Sequence, residues 1–282
     1  MKLLIGHLVD SRTLESAFSY IRDSVNDGNE HIFALCGDPD LEDSVIPKEW
    51  ITDKSTAFVC RSKFISDWVA RIVKEAVNHE FDFLQIRDWD DTYGFQIPDN
   101  ITEDVQLICP NYSVHYNDSG KYVTQSPYGV FKEVETVEID PQLEPISIHR
   151  QFKFFGKKLV QNLCDIMWND GFLRYPELCT LDDTMLMPLA AIECYRNRYI
   201  IARGMPSSMT FEVRPSSDTH KDSLAIRHTK YLDTTSKVLT FLKNHYKTEL
   251  EKDLYLCEFI YKFMIDRCSK YLFSISYHKR NG

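Results

Sequence analysis

Residues 81–91 read Phe81-Asp82-Phe83-Leu84-Gln85-Ile86-Arg87-Asp88-Trp89-Asp90-Asp91, and their pattern decides the fold prediction. A mostly apolar run, typical of a buried strand, ends in three carboxylates within four residues, at positions 88, 90 and 91. Carboxylates crowded at a strand end repel one another unless a cation lies between them. Their oxygens suit Mg²⁺ or Mn²⁺, and such an ion can hold a substrate diphosphate. The alternative interpretation is a solvated acidic turn that closes an ordinary strand.

The chain before this stretch alternates strand and helix patterns. Apolar residues recur at helical spacing after Ser11, where Asp10 or Ser11 can cap a helix, and again as a wide stripe in residues 64–77. Strands joined by such helices indicate a parallel sheet of Rossmann type, whose ligands bind at the carboxyl ends of the strands. Asp38 and Asp88 both lie at such ends. The predicted strands are Lys2 to Val9, His31 to Leu35, Thr56 to Cys60 and Phe81 to Ile86.

The rest of the chain continues with both element types. A second acidic pair, Asp182-Asp183, opens a predicted helix that ends at Arg196. The residues after the last predicted strand have a helical pattern to the C-terminus. The other predicted elements are a strand at Val105 to Cys109, a turn at Asn117 to Gly120, a helix at Lys157 to Trp168, and strands at Tyr199 to Ala202 and Met209 to Val213.

The composition is that of a globular protein with a large core. The 282 residues are 43% hydrophobic, and no apolar run approaches the roughly 18 to 20 residues needed to cross a bilayer. The eight cysteines form no Cys-x-x-Cys pair, so we expect reduced core thiols rather than a zinc site, in a cytoplasmic protein. The net charge of −9 argues against general nucleic-acid binding, but residues 195–247 are locally basic and favour an anionic ligand.

Three acidic features in a fixed order give the chain a family resemblance: Asp38, the Asp88-Trp89-Asp90 motif followed by Asp91, and Asp182-Asp183. In this order the chain resembles the nucleotide-sugar glycosyltransferases of the GT-A fold, especially the large inverting family two. The resemblance implies an α/β fold, with a mostly parallel, Rossmann-like sheet flanked by helices. It covers residues 1–215 as a catalytic domain, with a nucleotide-sugar half at 1–100 and an acceptor half at 101–215. Residues 216–282 are then a helical C-terminal extension.

The resemblance also implies the role of each site residue. Asp183 would be the general base for the acceptor hydroxyl, and its neighbour Asp182 would raise the pKa of that base by like-charge repulsion. The alternative role for this pair is to cap the helix that follows. The implied metal ligands, for Mn²⁺ or Mg²⁺, are Asp90, Asp88 and His220. The implied nucleotide-sugar contacts are Asp38, Asp88, Asp91, Val9, Asp10, Arg227 and Lys221.

The expected reaction is metal-dependent, inverting transfer of a sugar from a UDP-sugar, with UDP-glucose favoured, to a hydroxyl of a saccharide acceptor. The chain also resembles, more distantly, phage enzymes that add a second glucose to glucosylated hydroxymethylcytosine in T-even-type phages. That alternative makes sugar-decorated DNA the acceptor and the host cytoplasm the location. Alternatives of another class are a nucleotidyltransferase, which usually needs a Gly-rich loop that is missing after the first strand, and a non-catalytic nucleotide-binding module.

Overall fold

The structure is a computed structural model, and it describes residues 1–15, 17–18, 21, 27–62, 65–89, 92–94, 97, 99–116, 121–125, 135–138, 153–169, 182–211, 236–237, 240–254, 256 and 258. Its described strands are β1 Leu3–Asp10, β2 Glu30–Cys36, β3 Ser55–Cys60, β4 Phe83–Asp88, β5 Thr92–Gly94, β6 Val105–Tyr116, β7 Lys121–Gln125, β8 Glu135–Glu138, β9 Phe154–Gly156 and β10 Ile200–Phe211. Its described α-helices are α1 Ile65–Ala76, α2 Lys157–Cys164, α3 Asp182–Arg196 and α4 Lys247–Leu250.

The first four strands form a parallel half-sheet in the order β3-β2-β1-β4. This order places β1 in the middle, with Asp10 opposite Cys36 on one side and Leu8 opposite Asp88 on the other. The carboxyl ends of β1 and β4, which are Asp10 and Asp88, therefore lie at one edge of the sheet, beside the end of β2 at Cys36. The predicted α/β class and the predicted Rossmann-type arrangement of these strands are confirmed, and each strand lies within two residues of its predicted bounds.

The second half of the sheet is mixed in direction. The short strand β9 pairs antiparallel with both β4 and β6, while β10 runs parallel to β6 and antiparallel to β5 and β8. The two strands predicted at Tyr199 to Ala202 and Met209 to Val213 are one strand, β10, whose register shifts between Arg203 and Pro206. A bulge of this kind lets one long strand contain residues that look like a turn in the sequence.

Helix α1 packs against the parallel half-sheet through a close approach at Gly6. A Cβ atom added at Gly6 would lie 2.4 Å from Cγ2 of Ile72, so glycine is needed for this separation of helix and strand. Ile72 is fully buried and belongs to the main apolar cluster, together with residues of β1, β2 and β4. The wide apolar stripe predicted for this helix thus has the predicted partner, the sheet.

The described part of the C-terminal segment packs into the same apolar cluster, through Leu242 and Tyr246. The buried carboxylate of Glu193 on α3 binds this segment, because Tyr246 Oη donates to Glu193 Oε1 over 2.9 Å. Arg196 Nη1 donates to the same oxygen over 2.7 Å. Arg196 Nη2 also donates to Glu249 over 2.8 Å. We call Glu193, Arg196, Tyr246 and Glu249 the Glu193 cluster.

Candidate functional site

The carboxyl ends of β1, β2 and β4 form the candidate site, because the predicted residues Asp10, Asp38 and Asp88 all lie at this edge. Asp10 is the last residue of β1 and Asp88 is the last residue of β4. Side chains alternate between the faces of a strand, and Leu8 is opposite Asp88, so Asp10 and Asp88 belong to the same face of neighbouring strands. The sheet therefore brings two of the predicted carboxylates together at the edge where ligands of parallel sheets bind.

Asp88 ends β4 in a half-buried position. The next residue, Trp89, is almost fully buried, and its backbone N–H donates to the carbonyl of Leu8 over 3.2 Å. This bond extends the β1–β4 ladder by one step beyond Asp88, so the sheet fixes the backbone at Asp88 and Trp89. Asp90 and Asp91, which follow, lie outside the described residues.

Asp10 caps the turn after β1 and pairs with Arg12. Its carboxylate accepts hydrogen bonds from the Arg12 backbone N–H over 2.9 Å and from Arg12 Nε over 2.9 and 3.0 Å, and Arg12 Nη2 donates to it as well. Asp10 is the N-cap of the 3₁₀ turn Ser11–Thr13, which confirms the predicted cap. The Arg12 side chain is 60% exposed, so the pair keeps a guanidinium at the surface of the candidate site.

Asp38 follows β2 in an exposed loop. Its Oδ1 accepts a hydrogen bond from the backbone N–H of Asp40 over 2.9 Å, which makes a local Asx turn. Gly37 before it has a φ of 106°, a left-handed conformation that glycine adopts without a steric penalty. A Cβ atom at Gly37 would lie 3.4 Å from Asp10 Oδ1, so the loop that carries Asp38 passes beside the Asp10 carboxylate.

Val9 occupies a different environment from the described carboxylates Asp10, Asp38 and Asp88. Its side chain is fully buried in a cluster with Phe33, Trp50 and Trp89. A bound nucleotide can therefore reach Val9 only through its backbone in this arrangement.

The predicted general base lies at the start of a helix. Helix α3 begins at Asp182, so its first two residues are the predicted acidic pair Asp182 and Asp183, and it ends at Arg196 as predicted. The backbone position suits both roles proposed for the pair, base and cap. Three other predicted site residues, His220, Lys221 and Arg227, lie outside the described residues.

The sequence pattern did not indicate a row of polar side chains across the parallel half-sheet, in which His7, His31 and Arg87 are buried. His31 Nε2 lies 3.1 Å from Asp27 Oδ1, and His31 Nδ1 lies 3.1 Å from His7 Nε2. Both rings stack near Phe33, and Arg87 is opposite His7 on β4. Burial is the main cause that lowers the pKa of His7, followed by the charge of Arg87, so His7 is held neutral. The pattern of apolar residues within one strand does not reveal such a row, because the row joins side chains of different strands.

The donor chemistry at this edge fits a hard divalent ion. Asp88 and Asp10 supply carboxylate oxygens, which Mg²⁺ and Mn²⁺ prefer over nitrogen or sulfur. Within the described part of the chain, no three His, Cys, Asp or Glu side chains are grouped so that they could hold a metal ion. Of the three predicted ligands, only Asp88 belongs to that part.

Comparisons with known proteins give likenesses to solved structures but no sequence match. No protein-family model matches the sequence, and no curated protein matches it. Among solved structures, S. aureus TarS 1–349 in complex with UDP-GlcNAc is similar to this chain with a TM-score of 0.46 and 11% sequence identity, over 88% of this chain and 73% of the TarS chain. These values assign neither family nor function. No helix in the described ranges is long and apolar enough to cross a membrane.

Proposed function

We propose that the protein is a metal-dependent glycosyltransferase that moves a sugar from a UDP-sugar to a saccharide hydroxyl with inversion. The observation that supports this most is the position of Asp88, half-buried at the carboxyl end of β4 and on the same sheet face as Asp10 of β1. Asp90 and Asp91 follow Asp88 directly in the sequence. A carboxylate group of this kind, at the ligand-binding edge of parallel strands, is suited to a metal-bound diphosphate.

The proposed metal ligands are Asp90, Asp88 and His220, with Mn²⁺ or Mg²⁺ as the ion. Such an ion, when bound, stabilises negative charge on a leaving diphosphate. In this proposal Lys221 and Arg227 contribute further positive charge to the phosphates, since a guanidinium can bind two phosphate oxygens at once.

The nucleoside end of the donor is assigned to the loops after β1 and β2. Asp38 is exposed in its Asx turn and presents the carboxylate Oδ2 to a base or ribose. Asp10 is engaged with Arg12, so in this proposal it acts together with that guanidinium rather than as an isolated carboxylate. Val9 contributes its backbone, and Asp91 contacts the donor sugar.

Asp183 is the proposed general base. Helix α3 carries it, and the far end of this helix is fixed by the buried Glu193 cluster. In the proposed step the carboxylate removes the proton of the acceptor hydroxyl as the hydroxyl oxygen attacks the anomeric carbon, and the bond to the diphosphate breaks on the opposite face. Asp182 supplies a neighbouring negative charge that favours proton uptake by Asp183.

The acceptor is proposed to be a glycan or polysaccharide, with sugar-decorated DNA as the competing acceptor. The competing proposal depends on the basic residues between 195 and 247. One of these, Arg196, is occupied by Glu193 and Glu249 and is only one-third exposed, so it cannot serve a phosphate backbone without breaking both pairs. The glycan acceptor is preferred because the sequence contains no dedicated DNA-binding motif.

The test is release of UDP from a panel of UDP-sugars that includes UDP-glucose and UDP-GlcNAc, with Mn²⁺ and with either a glycan or glucosylated phage DNA present. Asp90→Ala and Asp183→Ala are each expected to lower turnover by at least about a hundredfold, the usual scale for a lost acid–base or charge-stabilising group. Asp53→Ala is the matched control, because Asp53 is an exposed carboxylate in the turn before β3. Turnover only with the DNA acceptor would replace the glycan proposal.

Binding of UDP separates a failed acceptor choice from a failed assignment. If UDP binds in the presence of Mn²⁺ and Asp90→Ala abolishes this binding, the metal–diphosphate site stands even when no acceptor in the panel reacts. If wild type releases no UDP and binds none, the proposal is refuted, and residues 88–91 are an acidic turn. Equal UDP affinity of wild type and Asp90→Ala would favour a nucleotide-binding module without this metal site.

A further inference from the structure

A second concave site lies at the opposite end of the sheet from the carboxylate edge. It is a cavity of about 400 Å³ between the end of α1, the first two turns of α2 and the turn before β10. Phe81 on its wall precedes β4, and Tyr199 precedes β10, so the cavity lies where these strands begin. Its volume is in the range of small-molecule sites, roughly 300 to 1,000 Å³.

The inner wall of this cavity is apolar and rigid. Phe81 and Val160 line it, and both are almost fully buried by the main core. Val77, one residue beyond α1, completes this wall. Because these side chains are held by the core, the wall is formed before any ligand binds, and an apolar or aromatic group can cover it without a change in the fold.

The rim presents a hydroxyl donor in a fixed orientation. Asn162 Nδ2 donates to Glu193 Oε2 over 3.2 Å and to the Tyr199 hydroxyl oxygen over 3.3 Å. An ionised carboxylate only accepts hydrogen bonds, so the Asn162 atom that contacts Glu193 is the amide nitrogen. The same nitrogen faces the Tyr199 hydroxyl. The Tyr199 oxygen is therefore an acceptor in this pair, and its own O–H remains able to donate. Burial raises the pKa of Tyr199, so the proton stays on the hydroxyl at neutral pH.

The charge on the rim is positive, in a chain with a net charge of −9. Lys157 and Lys158 both line the cavity at the start of α2. Lys157 Nζ pairs with Glu80 over 3.0 Å, whereas Lys158 has no ion-pair partner among the described residues. No described lining residue is acidic. The first-turn N–H groups of Lys158 and Leu159 are occupied by the Gln106 side chain, so the lysines, and not the helix N-terminus, supply the anion contact.

We propose that this cavity is a second ligand site that takes a small anion with an apolar or aromatic body. The body would cover Phe81, Val77 and Val160, while Lys158 would contact the anionic group and the Tyr199 hydroxyl would donate to one of its oxygens. The site is separate from the carboxylate edge, so both sites can be occupied at once. The proposal does not depend on the glycosyltransferase assignment.

The test uses 8-anilinonaphthalene-1-sulfonate, a fluorescent probe that has both an aromatic body and an anionic group. Titration of wild type is expected to give saturable binding of one probe per chain. Lys158→Glu is expected to weaken binding about fivefold to tenfold, because an attractive charge becomes a repulsive one. Tyr199→Phe, which removes only the hydroxyl, is expected to weaken it about threefold to fivefold.

Two controls keep the result specific. Lys54→Glu makes the same charge change at an exposed residue before β3, outside the cavity, and should leave the affinity for the probe at the wild-type value. UDP with Mn²⁺ should not displace the probe. Equal binding by wild type, Lys158→Glu and Tyr199→Phe would overturn the proposal, as would displacement by UDP, since the probe would then occupy the carboxylate edge. The urea-unfolding midpoint of each variant, within the error of wild type, shows that it is folded.

Discussion

Replacing Gly6 with alanine tests how closely α1 packs on the strand that carries Asp10. The new methyl carbon would lie 2.4 Å from Ile72 Cγ2 and 3.3 Å from Ile72 Cδ1. Carbon atoms normally approach to about 3.5–4.0 Å. Ile72 is fully buried, so either its side chain or the whole helix must move by about 1 Å.

The expected magnitude combines two opposing terms. Overpacking of a dense core costs about 1–3 kcal/mol. Alanine also restricts the unfolded chain relative to glycine, which stabilises the fold by about 0.4–1 kcal/mol where the backbone conformation is ordinary, as at Gly6. The net expectation is a loss of about 1–2 kcal/mol in the free energy of unfolding.

Urea unfolding of Gly6→Ala, Ile72→Ala and the double variant measures the coupling between the two positions. Ile72→Ala alone should cost about 2–5 kcal/mol. In the double variant the methyl group added at position 6 enters space that the isoleucine left, so the double loss should be smaller than the sum by at least about 1 kcal/mol. Gly28→Ala is the control: its φ of 91° is strained for alanine, but a Cβ there has no atom within 4 Å. Its loss should add to that of Ile72→Ala within about 0.5 kcal/mol.

Two results would refute this reasoning. A Gly6→Ala variant within about 0.5 kcal/mol of wild type would show that the helix is not as close to β1 as 2.4 Å implies. Additive losses for Gly6→Ala and Ile72→Ala would show that Ile72 is not the residue that restricts position 6.

The remaining predictions concern buried polar groups. Tyr246→Phe should lower the free energy of unfolding by about 1.5–3 kcal/mol, because the hydroxyl donates to the buried Glu193 carboxylate. Tyr195→Phe removes a less buried hydroxyl and should lower the free energy of unfolding by less. Equal losses of stability in the two variants would contradict the role of burial. Burial is the main cause that lowers the pKa of His7 and of His31 below the ordinary 6.5. The unfolded chain therefore takes up protons first as the pH falls, so the stability should be complete above about pH 6.5 and decline as the pH drops towards the lowered folded-state pKa values. Urea midpoints at pH 7.5 and 5.5 should differ, and less so in His7→Phe; equal wild-type midpoints would rule out the effect.

The N-terminal half could be predicted closely because its local patterns agree with the fold. The strands β1 to β4 are apolar runs bounded by polar turns, and residues 64–77 have an apolar stripe with a clear helical period. Both signals are local and need no knowledge of distant contacts. The position of Asp88 at the end of β4 followed from the same pattern, so that part of the candidate site could also be predicted.

The second half was harder because long-range pairing decides it. β9 has only three residues, Phe154–Gly156, and it exists because β4 and β6 lie on either side of it. The sequence Gly204-Met205-Pro206 looks like a turn, yet it lies inside β10 at a register shift. The hydrogen bond between His7 and His31 joins residues 24 positions apart, so neither residue signals it alone.

The Glu193 cluster has a consequence for the order in which the chain is made. During synthesis, α3 and its carboxylate leave the ribosome before Tyr246 and Glu249, which lie 53 and 56 positions later in the sequence. A carboxylate in an apolar environment is costly until its hydrogen-bond donors arrive. Arg196 follows Glu193 within one helical turn and can partner it early, whereas the Tyr246 hydroxyl cannot. We therefore expect the end of α3 to remain solvated in the nascent chain until the segment around Tyr246 has been synthesised. Completion of the core is then a late event in translation.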